Sequence, residues 1–504
     1  MRPLEMLLLM ADLLALGALT VPRWRHASWL RLSAVVVMAF AFAQWGLEGP
    51  RWQMLPAYGL TLLSVVLSMA GSVGVAGAAS GRTWRTRIAV GLGVAAFAMA
   101  VALPIIVPVF RFPPPAGPYA IGTLTYHWVD AARAEAFTAD PRARRELMVQ
   151  IWYPSQAKAS GPGAAYLPDA DAVTAAFARI QHKPAVVFGH LRYVTTHAMP
   201  SAPAAGDLPS FPVLLFLEGA TGFRQMNTYQ VEHLVSHGYI VVAIDQPGAA
   251  AAVVFPDGHQ VDGLNLAQLR AAVGPSYLPR EPGSPQSGTA NPPGLAREGV
   301  SIIRYLAQDT VFTLDQLAVL NRADPNAILT GRLDLQRVGA FGISLGGIVV
   351  GEACQREPRL RACLVMDAPM TTDVVRAGLR QPSMWITRDA ASMRLERQRA
   401  GGWSDVEIEA HQTSMRAVYE GLAGAGYFVR VRGMFHSNFT DIASWTPIAE
   451  WLGVGGPINA QRAHDIVNAY SLAFFDRHLI DPQGDLFDRS AKLYPEAVFE
   501  SRAP

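Results

Sequence analysis

Two rhythms of hydrophobicity divide this chain. Up to about residue 110 the apolar residues come in long runs, at residues 4–21, 32–47, 54–79 and 88–110. Most of these approach or exceed the roughly 20 residues that a helix needs to cross about 30 Å of hydrocarbon. The second run is short and needs Trp29 and Leu30 to complete it. The pattern predicts a bundle of four transmembrane helices, with three as the alternative, because a cleavable signal peptide would explain only the first run. Asp12 interrupts that run. A lone acid near a helix end is expected to reach the headgroups or to pair within the bundle.

Beyond residue 118 the rhythm changes to shorter segments. Residues 119–129 and 147–153 read as β-strands, and residues 211–217 and 239–245 as continuous apolar strands buried on both faces. Residues 227–237 fit a helix that stops at Gly238, and residues 297–307 have helical periodicity. A short strand at 338–341 is followed by a helix at 346–355. Further strands are expected at 362–366, 384–386 and 427–431, and an amphipathic helix at 465–478. Strands alternating with helices imply an α/β fold, a mostly parallel central sheet flanked by helices, with ligands bound beyond the carboxyl ends of the strands. Between the two rhythms, residues 112–118 carry four prolines, which makes a stiff spacer. The expected organisation is therefore a helical membrane module at 1–111, a linker at 112–118 and an α/β domain at 119–504. Residues 247–295 are polar and rich in Gly and Pro, as a flap over a cleft or a plain insertion would be.

Composition agrees with a chain partly in lipid: of 504 residues, 51% are hydrophobic and only 16% charged. A net charge of +2 and the lack of any basic run give no reason to expect a nucleic-acid partner. Charge placement gives orientation. Arg23, Arg25 and Arg31 lie in the first connection and Arg82, Arg85 and Arg87 in the third, whereas the second has Glu48 and Arg51. The positive-inside rule puts the first and third connections in the cytoplasm. The expectation is a multi-pass inner-membrane protein whose large domain is periplasmic or extracellular. Two cysteines, Cys354 and Cys363, exclude a disulfide-rich scaffold or a Cys-based zinc cluster. Two buried free thiols are the simpler expectation, and one bridge is the alternative in an oxidising compartment.

The chemistry centres on residues 341–347, Phe-Gly-Ile-Ser-Leu-Gly-Gly. This G-x-S-x-G pattern sits at a predicted strand-to-helix junction, where a sharp turn lifts the Ser344 hydroxyl clear of the backbone. Serine at its ordinary pKa is a poor nucleophile and needs a base held by a third group. His436 follows the last predicted strand and suits the base. His182 and His190 precede the core sheet, His233 and His237 lie on a helix, and His411 falls in a polar helical stretch. For the orienting acid, Asp367 and Asp389 each end a strand between Ser344 and His436, in the chain order this fold uses. Two amides should receive the developing oxyanion. Leu345, next after the serine, supplies one, and Ala220, in the loop after the strand at 211–217, the other.

Several stretches in order resemble the platelet-activating factor acetylhydrolase branch of the α/β-hydrolases, which includes dienelactone-hydrolase-like and polyester-hydrolase-like esterases. They are Gly-Pro-Tyr-Ala-Ile-Gly at 117–122, Leu-Met-Val-Gln-Ile-Trp-Tyr-Pro at 147–154, and the strand and loop containing Gly219, Phe223 and Arg224. Ser-His-Gly-Tyr-Ile-Val-Val-Ala at 236–243, the Ser344 turn, Met-Asp-Ala at 366–368 and Arg-Gly-Met-Phe-His-Ser-Asn-Phe at 432–439 complete the set. The resemblance covers most of the chain after Pro118 and none of the helical leader. It implies Ser344 as nucleophile, Asp367 rather than Asp389 as acid, and His436 as base. It further implies a serine carboxylic-ester hydrolase working through an acyl-enzyme, with no metal or organic cofactor and no obligate protein partner. The partners expected are a small ester or lipid substrate, such as a short-chain or oxidised phospholipid, and the bilayer. Two departures stand out. Glu218 occupies a place where the family commonly has His, and is expected to turn away from the oxyanion, towards Arg224. Ile343 stands where a polar residue is frequent. The rival readings are acyl transfer or peptide cleavage by the same triad, and a membrane sensor or scaffold that has lost activity.

Overall fold

A computed structural model describes residues 1–20, 27–70, 83–138, 140–156, 163–278 and 301–503. The arginines at positions 23, 25 and 82, and the Gly/Pro-rich stretch at 279–295, lie outside the described residues. The chain forms two compact units, residues 1–110 with 445–448, and residues 111–444 with 449–504.

The first unit contains α1 (Pro3–Thr20), α2 (Ala27–Ala43), α3 (Leu55–Ala70) and α4 (Thr83–Ile106). Its interior packs Leu8, Ala11, Ala15, Val37, Ala57 and Ala100. Large apolar side chains also point outward: Phe42 is 73% exposed, Leu92 67% and Leu62 65%. Such a surface suits hydrocarbon better than water. Four helices thus occupy the four predicted runs, but they differ in kind. By length and composition, Ser28–Glu48 and Trp52–Met69 can cross a membrane, and Val90–Ile106 is a shorter apolar helix. Acids dilute α1. Glu5 pairs with Arg51 at 2.7 Å, and Asp12 is buried and accepts the Thr61 hydroxyl at 3.1 Å. Pairing inside the bundle is thus the outcome for Asp12.

The second unit is built on a ten-stranded sheet among the described residues, in the order β12-β11-β10-β9-β8-β4-β5-β2-β1-β3. The strands are β1 (Ala120–Ala134), β2 (Arg144–Ser155), β3 (Ala198–Pro200), β4 (Phe211–Leu217), β5 (Ile240–Asp245), β8 (Leu333–Ile343), β9 (Leu360–Met366), β10 (Ser383–Arg388), β11 (Gly426–Val431) and β12 (Ala497–Arg502). A small separate hairpin, β6 (Ala252–Val254) with β7 (Gln260–Asp262), occupies the start of the polar segment. The six central strands run parallel, whereas β2 lies antiparallel to β5, β1 to β2 and β12 to β11. Every residue of β4 and β5 is buried, as their apolar runs require, and β5 ends on the buried Asp245. The main helices are α5 (Thr228–Ser236), α6 (Ile302–Arg322), α7 (Leu345–Arg356), α8 (Ala390–Ala400), α9 (Asp405–Glu420) and α10 (Ala460–Phe475). From β4 the chain winds one way to β5, then returns to β8 on the other side and continues outward to β11. The loops after β4 and β8 therefore diverge at a switch point, where open α/β sheets bind ligands.

Two expectations need correction. Of the helix expected at 297–307, residues 297–300 lie outside the described residues, and the described helix, capped by Ser301 accepting from Arg304 N–H, runs past 307 to Arg322 because the apolar spacing continues. Cys354 and Cys363 form a disulfide rather than free thiols. Helix α7 ends over the start of β9, and this brings the two Cα atoms to 6.6 Å, within bridging range. Replacing both cysteines with Ala is expected to lower stability by about 2–3 kcal/mol, the loop-closure value for so short a ring. Denaturant unfolding of oxidised parent and variant measures it, and equal midpoints would show that the bridge does not stabilise the fold.

Candidate active site

Ser344 stands between β8 and α7 with φ of 56° and ψ of −121°, a conformation most side chains avoid. The turn closes because its neighbours are small. A Cβ on Gly346 would sit 2.1 Å from the Leu217 carbonyl oxygen, and one on Gly342 2.5 Å from the Gly346 backbone. Ser344 N–H donates to the Met366 carbonyl at 3.0 Å. The serine is thereby anchored beside the residue that follows Met366, which is Asp367.

Asp367 is fully buried, and it too has a positive φ, of 43°. Its Oδ2 accepts from His436 Nδ1 at 2.6 Å, and its Oδ1 accepts the Thr387 hydroxyl at 2.9 Å. Burial alone would raise the pKa of this carboxyl. The charge of Arg388 and the adjoining His411 and His436 outweigh burial and hold it well below the usual carboxylate range. It is therefore an ionised acceptor that fixes the ring orientation of His436.

His436 opens a short 3₁₀ turn, His436–Phe439, after β11. The Asn438 Oδ1 accepts from both Phe435 N–H and Gly456 N–H at 2.8 Å, which staples this loop. Farther on, Asp441 accepts the Thr228 and Tyr229 amides at 2.9 and 3.1 Å, tying the loop to the start of α5. The His436 side chain is 28% exposed, so its outer face is open to a substrate, and Ser344 is also partly exposed. Among the described residues no hydrogen bond joins the Ser344 hydroxyl to His436. Such bonds often tighten only when substrate is bound.

The loop after β4 presses on the serine: a Cβ on Gly219 would lie 3.3 Å from Ser344 Cβ. Thr221 in this loop has φ of 60°, fixed by its N–H bond to the Ala249 carbonyl at 2.7 Å. Leu345 is the first residue of α7, where amides have no partner within the helix. Both segments named for the oxyanion, those of Ala220 and Leu345, therefore flank Ser344.

Glu218 departs from expectation. Arg224 pairs with Asp245, through its guanidinium and through its N–H at 2.6 Å, and among the described residues no hydrogen bond joins it to Glu218. Glu218 turns instead to the end of β5 and accepts the Gln246 N–H at 3.1 Å. Burial, and then the charge of Asp245, push its carboxyl well above the ordinary range, which favours the neutral form that would not oppose an oxyanion. The unfolded chain ionises this acid near pH 4.5, so raising the pH above that value favours unfolding until the folded group also ionises. Glu218→Gln is expected to melt like the parent near pH 4 and at a higher temperature at pH 8. A lower melting temperature at pH 8 would show that the ionised carboxylate is required.

The alternative acid, Asp389, lies elsewhere in the hydrogen-bond scheme. It caps α8, accepting from Ser392 N–H at 2.7 Å. Four residues around the site were not singled out from sequence: Arg388, Glu396, Trp403 and His411. His411 was set aside as a polar helical residue, yet it is buried on α9 with Nε2 3.5 Å from Asp367 Oδ1. No short motif marks these four, since strand end, helix and loop converge only in three dimensions. Among the described residues no cluster of His, Cys, Asp and Glu suits a metal ion.

A mostly parallel sheet with a strained serine at its switch point defines the α/β-hydrolase class. Within that class, the model for the family "Platelet-activating factor acetylhydrolase, isoform II" matches residues 106–262 and 314–493, and the chain belongs to this family. It is 26% identical over 280 residues to a platelet-activating factor acetylhydrolase of Cavia porcellus, covering 53% of this chain and 58% of that one. The corresponding protein of Gallus gallus is 22% identical over 308 residues, covering 57% of this chain and 67% of its own. A probable 1-alkyl-2-acetylglycerophosphocholine esterase of Arthroderma benhamiae is 24% identical over 304 residues, covering 58% of this chain and 67% of its own. The chain thus spans about three fifths of the first of these relatives. A solved ferulic acid esterase from Streptomyces cinnamoneus superposes with a TM-score of 0.58 at 26% identity, covering 78% of this chain and 99% of that one.

Proposed function

We propose that this chain is a membrane-tethered serine carboxylic-ester hydrolase. One observation carries the reading. The carboxylate that holds His436 Nδ1 at 2.6 Å belongs to the residue directly after the carbonyl that receives Ser344 N–H at 3.0 Å. The backbone of Ser344 thus lies beside the Asp367–His436 pair, which supports the roles of nucleophile, acid and base for Ser344, Asp367 and His436. As an ester binds, His436 Nε2 takes the Ser344 proton and Oγ attacks the carbonyl carbon. The amides of Leu345 and Ala220 donate to the oxyanion. The leaving alcohol takes its proton from His436, and an acyl-enzyme remains. Water then gives a proton to the same nitrogen, attacks the acyl carbon and frees the acid and the serine.

The substrate class proposed is short-acyl esters, including short-chain or oxidised phospholipids, supported by the relatives' names and by the apolar leader. Residues 1–111 serve as the tether, 112–118 as the spacer and 119–504 as the catalytic domain. Two membrane-competent helices and the arginine asymmetry support a multi-pass inner-membrane location with the catalytic domain outside the cytoplasm, and a disulfide suits that compartment. Treatment of the full chain with a fluorophosphonate followed by peptide mapping tests the reading. A single adduct on Ser344 is expected, and an unlabelled Ser344 would sink it.

A further inference from the structure

Arg388 is not a residue that acyl transfer by a triad requires, yet it shares an oxygen with the base. Asp367 Oδ2 accepts both from His436 Nδ1 at 2.6 Å and from Arg388 Nε at 2.8 Å. The Arg388 side chain is fully buried, and a guanidinium stays charged there. By itself this cation would cancel much of the field by which Asp367 favours a charged imidazole. A second carboxylate answers it. Glu396, on α8, bonds the Arg388 guanidinium, and the same oxygen accepts the backbone N–H of His436 at 3.1 Å.

We propose that Glu396 and Arg388 are positioning residues, forming with Asp367 and His436 a chain of alternating charge that sets how readily His436 holds a proton and where its backbone sits. The proposal rests on the assignment of Ser344, Asp367 and His436 made above. Reading inward, the signs run minus at Glu396, plus at Arg388, minus at Asp367, and plus at His436 when it takes the serine proton. Trp403 covers the chain, with its ring 5.6 Å from the Arg388 guanidinium and edge-on to His436 at 5.8 Å. Excluding water there keeps the charges poorly screened. The other titratable or charged groups nearby are His411 on α9, 3.5 Å from Asp367, and Arg399 on α8, over the Phe435 ring at 6.0 Å. Burial holds His411 below its ordinary pKa, which favours its neutral form, and Arg399 is paired with Glu450 at 3.7 Å.

The chain makes an unusual demand: removing its two outer members must act in opposite directions. Arg388→Met takes away a cation, so the acidic limb of kcat/KM against pH on p-nitrophenyl acetate is expected to move up, by roughly 0.5–1 pH unit. Glu396→Gln leaves Arg388 unopposed, so the limb is expected to move down by a similar amount. The double variant should fall between the two. A ¹³C-histidine NMR titration of His436 in the full-length protein, assigned by its loss in His436→Ala, should follow the same signs without depending on turnover. Shifts of one sign, or none, would overturn the proposal, because residues that merely support the loop would change rates without ordering the midpoints. Should Arg388→Met not fold, Glu396→Gln decides alone: an unmoved midpoint overturns the chain and a downward one supports it. A parent protein with no turnover and no Ser344 labelling would refute the esterase reading, while the titration would still decide the charge chain.

Discussion

Ser344→Ala is expected to lower kcat/KM on p-nitrophenyl acetate by about 10⁴-fold or more and to abolish fluorophosphonate labelling. The size follows from the role proposed, because without Oγ there is no covalent intermediate and only binding and the oxyanion amides are left to act. The fold should tolerate the change. Ser344 is held through backbone bonds, its N–H to Met366 and its carbonyl to Ile348 N–H, and Ala can make both. The positive φ remains a strain for either residue. Activity retained within about tenfold would remove Ser344 from the mechanism.

Asp367→Asn should be nearly as damaging, with turnover down by about 10³–10⁴-fold, because an amide facing Nδ1 permits the wrong imidazole tautomer. It should also destabilise the fold by about 3–5 kcal/mol, since it leaves the buried Arg388 short of a counter-charge. Asp389→Asn provides the comparison. It keeps a competent helix cap, so both turnover and stability should stay close to those of the parent. The reverse ranking would transfer the acid's role to Asp389. The ionised state of Asp367 also has a sign in pH. Its folded pKa lies well below the unfolded value of about 3.8, so its stabilising effect is fully present above that value. The effect is lost as pH falls through the folded value, and acid unfolding of Asp367→Asn should lack that component.

The parts of this fold that depend on local repetition were legible in the sequence. The strand at 211–217 was placed to the residue because both its faces are covered and no polar position interrupts it. The serine turn was legible because tight backbone approach admits only glycine at fixed offsets. Features made by convergence were not. Arg388 sits beside Asp389, which was weighed, but nothing in the sequence says which of two adjacent polar residues turns inward at a strand end. Glu218 was expected to turn towards Arg224, but Arg224 pairs with Asp245 and Glu218 accepts from Gln246 N–H at the end of β5, an arrangement no spacing in the sequence marks. His411 has the sequence surroundings of a surface helix, and its burial depends on how α9 packs. The cysteine pair turned on a Cα separation, which spacing along the chain does not determine.

The bridge between Cys354 and Cys363 spans nine positions of sequence, with Ser344 upstream of it and Asp367 and His436 downstream. A backbone scission anywhere between the two half-cystines would leave the fragment bearing the hydroxyl and the fragment bearing the carboxylate and imidazole covalently joined. A single cut in that segment would therefore leave the proposed nucleophile and its proposed partners on one covalently joined molecule.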